Sequence, residues 1–173
     1  QMAKAAAVNN MVGYCQSHRG TFWTNLADSN FDPAQITVPC EADCSSGVAA
    51  IVKGAGYRLK NEKLKNVSTA CYTGNLRAAL KAAGFEVLTD KKYLTSDAYL
   101  LEGDILLNDG AHVATNLTNG AKASGGGASQ TVPINSNVKL ETAKGFNKSL
   151  AGTYKVTASG LNLRAGAGTG KSI

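Results

Sequence analysis

Apolar positions recur at helical spacing in three stretches of the chain. Over residues 3–15, Ala7, Met11 and Tyr14 fall near one face, which predicts a first helix. After Cys44, the residues Val48, Ile51, Val52 and Ala55 fall at i, i+3, i+4 and i+7, and Gly54 and Gly56 read as the end of that helix. Over 74–83, Leu76, Ala79, Leu80 and Ala83 share a face and Gly84 follows as a stop. Between the first two helices, RGTFWTNLADSNFDPAQITVPCEA (19–42) holds Asp-Pro and Val-Pro pairs and no clean period, which predicts irregular chain. Past residue 84 the elements shorten. FEVL (85–88) predicts a short strand, EGDILLN (102–108) a strand entered through a Gly-Asp turn, and HVATNL (112–117) the next. TNG (118–120) predicts a turn, with the chain returning through AKAS (121–124) and then GGGAS (125–129) as a loop. Helices first and an antiparallel meander after give an α+β layout.

Composition narrows the function classes. At 173 residues the chain holds one domain with a real core and a small appendage. The net charge is +6, but Lys53, Arg58, Lys60, Lys63, Lys65, Lys91 and Lys92 are scattered and not interleaved with aromatics. That argues against nucleic acid as a partner. A diffuse positive balance suits an anionic polymer such as a bacterial cell wall. No stretch approaches the ~20 apolar residues of a membrane span, so no membrane insertion is expected. QMAKAAAVNNMVGYC has no apolar core of secretory type and reads as the first helix, not a signal peptide. The expected state is a monomer.

The cysteines are Cys15, Cys40, Cys44 and Cys71. An even count allows two disulfides, or one that leaves Cys44 out. Cys15-x-x-His18 with Cys40-x-x-x-Cys44 allows a zinc site on paper, without the tight paired spacing of convincing sites. The default is mostly reduced cysteines, with no metal and no cofactor.

Cys44 stands apart, because in EADCSSGVAA it opens a helix and is not embedded in an apolar pattern. A helix N-terminus carries partial positive charge and free N–H groups. It stabilises a thiolate, and its N–H groups can hold the oxyanion formed when that thiolate attacks a carbonyl. A nucleophilic cysteine needs a base. Of the two histidines, His18 lies in a polar run and His112 opens a strand directly after NDGA. Cys44 and His112 are therefore the candidate nucleophile and base.

At these residues the chain resembles a known family. ADCSSGVAAIVKGAGY, NLRAALKAAGF and EGDILLNDGAHVATNLTNG resemble successive blocks of the NlpC-type cell-wall cysteine peptidases, close to the CHAP amidases, in the versions found in phage endolysins. The resemblance covers roughly residues 40–124. It implies a papain-like fold, with N-terminal helices packed on an antiparallel sheet, and a peptidoglycan hydrolase acting at the bacterial cell wall. Cys44 would be its nucleophile and His112 its base. Asp43 and Ser45, flanking the cysteine, would help bind the stem peptide, though an N-cap serves as well for Asp43. Tyr14 and Trp23 are candidates for lining the cleft or for the core.

The family's orienter of the histidine sits on the strand after the base, and here that position falls on Ser124. Asn116 is four residues along His112's own strand, about 13 Å away at ~3.3 Å per residue. Ser124 faces Ala114, on the side of His112, if the hairpin has a three-residue turn, and points away with a two-residue turn.

A second resemblance lies in the tail. AGTYKVTASGLNLRAGAGTG (151–170) resembles the first strands of bacterial Src-homology-3-type wall-binding domains. The expected organisation is a catalytic domain over 1–140, a linker over 141–151 and an incomplete wall-binding domain over 152–173. Three readings stay open: a stem-peptide peptidase, an N-acetylmuramoyl-L-alanine amidase of the same fold, and a non-catalytic wall-binding protein. A zinc-dependent protein is the most distant alternative.

Overall fold

The fold is that of a computed structural model, which describes residues 1–123. Its elements are α1 (Met2–Val8), β1 (Val12–Tyr14), α2 (Thr21–Asp28), a 3-10 turn (Pro33–Gln35), β2 (Cys40–Ala42) and α3 (Cys44–Leu59). There follow α4 (Glu62–Lys65), α5 (Thr73–Ala82), α6 (Lys91–Leu94), β3 (Ile105–Asn108) and β4 (His112–Thr115). The class is α+β, mixed helices with small sheets.

The strands form two separate pairs. β1 and β2 run parallel, with Gly13 beside Glu41 and Tyr14 beside Ala42. A parallel pair needs a crossover, and α2 supplies it. β3 and β4 form an antiparallel hairpin, Leu107 beside Val113 and Asn108 beside His112. The single antiparallel meander read from the sequence is thus replaced, among the described residues, by a parallel pair and a hairpin.

Long α3 sits between two apolar clusters. Val48, Ala49 and Val52 pack with Val67, Cys71, Leu76, Leu80, Ala83 and Val113. Ala50 packs with Ala6, Phe22, Leu26, Ile36, Cys40 and Ala42, with Ile51 at its edge. The expected single apolar face therefore wraps round the helix, and small residues on α3 let neighbours approach from both sides.

Several expectations change. Residues 3–15 do not form one helix: α1 ends at Val8 and the chain re-enters as β1. The 19–42 segment, expected to be irregular, holds α2 and β2. Gly54 and Gly56 do not end α3, which runs on to Leu59 and closes through Lys60 in the left-handed region (φ 53°). FEVL forms no strand; Phe85, Val87 and Leu88 stay 36–38% exposed. Gly84 does stop α5, at φ +98°.

The chain also does not turn back at TNG. Gly120 N–H donates to Leu100 O at 2.8 Å and Lys122 N–H to Ala98 O at 2.7 Å. These bonds continue the β3–β4 register outward, so residues 98–122 make one long irregular hairpin. Ser124, the remainder of the expected catalytic domain, the linker and the wall-binding segment lie outside the described residues.

Gly56 shows why α3 can pass so close to α4. A Cβ there would lie 2.5 Å from Lys65 N and 2.8 Å from the carbonyl carbon of Leu64, both backbone atoms. At Gly54 the nearest atom would be Met2 Cε, at 2.9 Å, the free end of a flexible side chain. We expect Gly56→Ala to lower stability by about 1–3 kcal/mol or more, as overpacking does, and Gly54→Ala by clearly less. Urea unfolding of the two variants checks the order.

Candidate active site

The start of α3 is built by a local device. Asp43 is its N-cap: Ser46 N–H donates to Asp43 Oδ1 at 2.7 Å, and Asp43 N–H donates to Ser46 Oγ at 2.9 Å. This reciprocal capping box fixes the first turn. Cys44 is the first helical residue, half-buried, and packs at the edge of the cluster that holds Val48 and Val113.

Arg19 holds the same turn from the side. Its guanidinium donates to Ser45 Oγ at 3.2 Å and to the Cys71 carbonyl. Its Nε lies 3.0 Å from Asp43 Oδ2, an ion pair without hydrogen-bond alignment. Ser45 Oγ donates to Asp43 Oδ1 at 3.0 Å and is itself buried. Asp43 and Ser45, expected on the substrate, are thus engaged in holding the helix start. We expect Arg19→Ala to cost about 1–3 kcal/mol, because it leaves a nearly buried carboxylate short of its partner. Arg19→Lys should recover only part, since a point charge cannot reach three acceptors as a planar fork does. Thermal melts of both variants test this.

Tyr14 ends β1 beside Cys44. Partial burial pushes its phenol pKa up, and the negative charge of the Cys44 sulfur adds to the rise, while a hydrogen bond with the Cys44 backbone opposes it. Tyr14 therefore keeps its proton through the neutral range and presents a hydroxyl to the cysteine. Trp23 lies elsewhere. Its ring is 5.9 Å from Phe31 and 6.1 Å from Tyr57, with Lys53 over it at 5.4 Å. Lys53 is about 13 Å down α3 from Cys44 at ~1.5 Å per residue. The structure brings Tyr14 to the cysteine and groups Trp23 with a separate aromatic cluster.

His112 opens β4 and is half-buried. The turn before it is tied to α5, where Arg77 Nε donates to Asp109 Oδ2 at 2.7 Å. Val113, the next residue, is buried in the cluster that Cys44 borders. Strand alternation that turns Val113 inward turns His112 to the other side with exposed Ala114. Cys44 and His112 thus sit on contacting elements, and the imidazole has no hydrogen-bond partner among the described residues.

All four cysteines are free. Burial pushes the thiols of Cys40 and Cys71 up, so both stay neutral. The four-ligand zinc set conceivable from sequence is not assembled: Cys15 and His18 meet Glu41 instead. Sequence reasoning gave no function to Arg19 or Glu41. Nothing local marks Arg19, whose partners lie 26 and 52 residues away.

Fold and site together define a small α+β domain with a cysteine at a capped helix start and a phenol beside it. A family model described as an endolysin-like domain matches residues 1–123, and the chain belongs to that family. The family points to cell-wall lysis, with peptidoglycan as substrate. No curated protein matches the chain, and no solved structure does. No helix of the described residues is long and apolar enough to cross a membrane.

Proposed function

We propose that the chain is a peptidoglycan hydrolase of papain-like, NlpC-type design that works through Cys44 and His112. The observation that carries this reading is the position of Cys44, first in a capped helix with a protonated Tyr14 beside it. The Cys44 thiolate attacks the carbonyl carbon of a wall amide. The tetrahedral oxyanion is held by N–H groups of the first turn of α3, with the Tyr14 hydroxyl as a further donor. Protonated His112 gives its proton to the leaving nitrogen as the C–N bond breaks, leaving a thioester. His112 then takes a proton from water, which attacks the thioester and releases the carboxylate and the thiolate. His112 opens β4 on an element that packs against α3, and the reading requires the bond between its ring and the sulfur to form in the substrate complex, where such bonds often tighten.

The bond favoured is an amide within the stem peptide; the amide between sugar and peptide is the alternative. The segment over 152–173 is proposed as the start of a wall-binding module that keeps the catalytic domain on its polymer. Ser124, where the resemblance puts the histidine's orienter, lies outside the described residues, and since the chain does not turn back at TNG the orienting role passes to a backbone carbonyl or a water. We expect Ser124→Ala to cost less than about tenfold in lysis rate, well below the ~10²–10⁴-fold of a positioned base. Ser124→Asn or Ser124→His should keep it.

Mass spectrometry of purified peptidoglycan after digestion tests the proposal. Fragments cut inside the stem support the peptidase. Sugar chains freed of whole stems with a new alanine amine identify the amidase. Binding to walls with no new termini would leave only a wall-binding protein.

A further inference from the structure

We propose that Cys15, His18 and Glu41 form a binding site for a divalent transition ion of borderline softness, zinc being the type, beside the catalytic helix start. The three come from different places. Cys15 follows β1, His18 lies in the loop to α2, and Glu41 is the middle residue of β2. Parallel pairing sets Glu41 beside Gly13, whose missing side chain leaves room: a Cβ there would already touch Glu41 Cγ at 3.5 Å.

The distances suit one ion. Cys15 Sγ lies 3.4 Å from His18 Nδ1, and Glu41 Oε2 lies 3.1 Å from the same nitrogen. All three ligand atoms fall within 4.8 Å of one another. Zinc bonds of about 2.0–2.3 Å in tetrahedral array place ligand atoms roughly 3.3–3.8 Å apart. Thiolate, imidazole and carboxylate together are a donor set for zinc and its neighbours, not for calcium or magnesium.

The alternative roles of this cluster explain less. A Cys–His–Glu relay uses the two ring nitrogens for different partners, whereas here sulfur and carboxylate both face Nδ1. A single proton on Nδ1 can serve only one of them. An ion in that place satisfies all three. The site is open: His18 is 67% exposed, and His18 and Glu41 line a shallow groove with Met11, Thr21 and Pro39. Three protein ligands leave one tetrahedral position without a ligand among the described residues. Arg19 follows His18 directly, so an ion here also fixes the loop that carries the Arg19 fork to Asp43.

The test is a cobalt(II) titration of the reduced, metal-free full chain, followed by absorption. We expect one equivalent to give tetrahedral d–d bands and a thiolate-to-cobalt charge-transfer band, both erased by zinc. Cys15→Ser and His18→Ala should lose the charge-transfer band or the binding, Glu41→Gln should weaken binding tenfold or more, and Cys44→Ala should leave it unchanged. Circular dichroism confirms that each variant is folded; His18→Ala, at an exposed position, keeps the test available if Cys15→Ser does not fold. Absence of the bands at millimolar cobalt would overturn the site. So would a charge-transfer band that survives Cys15→Ser and disappears in Cys44→Ala.

Discussion

Cys44→Ala should abolish wall lysis, and Cys44→Ser should do the same, while replacement of Cys15, Cys40 or Cys71 should leave at least part of the activity. The expected contrast follows from environment. Cys40 and Cys71 are buried thiols whose pKa values burial raises, so neither supplies a thiolate. Among the described cysteines Cys44 alone opens a capped helix, the position whose free N–H groups can hold an oxyanion. Serine should fail because its hydroxyl, unlike a thiol, does not ionise near neutral pH. The measurement is turbidity clearance of purified walls by each variant at equal concentration, paired with thiol labelling at mildly acidic pH. In the native protein one cysteine should label fast, and that reaction should vanish in Cys44→Ala alone. Native-rate lysis by Cys44→Ala would end the catalytic reading.

His112→Ala is expected to lower lysis by ~10²–10⁴-fold, the usual worth of a positioned proton carrier. His18→Ala should be mild. The chain has two histidines, so each variant controls for the loss of a ring in the other. His18 is largely exposed and pairs with Glu41 at 3.1 Å. The pH profile of the native protein should be a bell, and in His112→Ala the residual rate should lose its shape. A zinc-dependent mechanism would instead give large, equal losses from both histidines and activity restored by added metal.

What was legible in the sequence was local. The start of α3 could be read because its cap is contained in Asp43-Cys44-Ser45-Ser46, and a capping box needs no partner from afar. α5 and the β3–β4 hairpin were legible for the same reason, their partners being near in sequence. β1 was not. It is three residues long, and its partner begins at Cys40, so its apolar residues counted as helix. α2 was missed because Gly20 gives it no side-chain cap, and docking of Phe22 and Leu26 into the core holds it. Gly54 and Gly56 were misread because a glycine that ends a helix and one that admits a neighbour look alike without the neighbour. The TNG turn failed on similar grounds: its backbone pairs with residues 98–100, which carried no strand signal. In the candidate site, Cys44, His112 and Tyr14 were marked by type and position. Arg19 acts through contacts that only folding creates.

α3 is gripped on two sides, by clusters that draw on nearly every other element of the described domain. The amides of its middle turns, around Val48 to Val52, can reach solvent only when both clusters open, so their hydrogen exchange should proceed through global unfolding and be the slowest in the domain. The sulfur at its head rides on the last segment to let go. Heating should therefore erase thiol reactivity and tertiary structure in one transition, with no folded but inactive form in between.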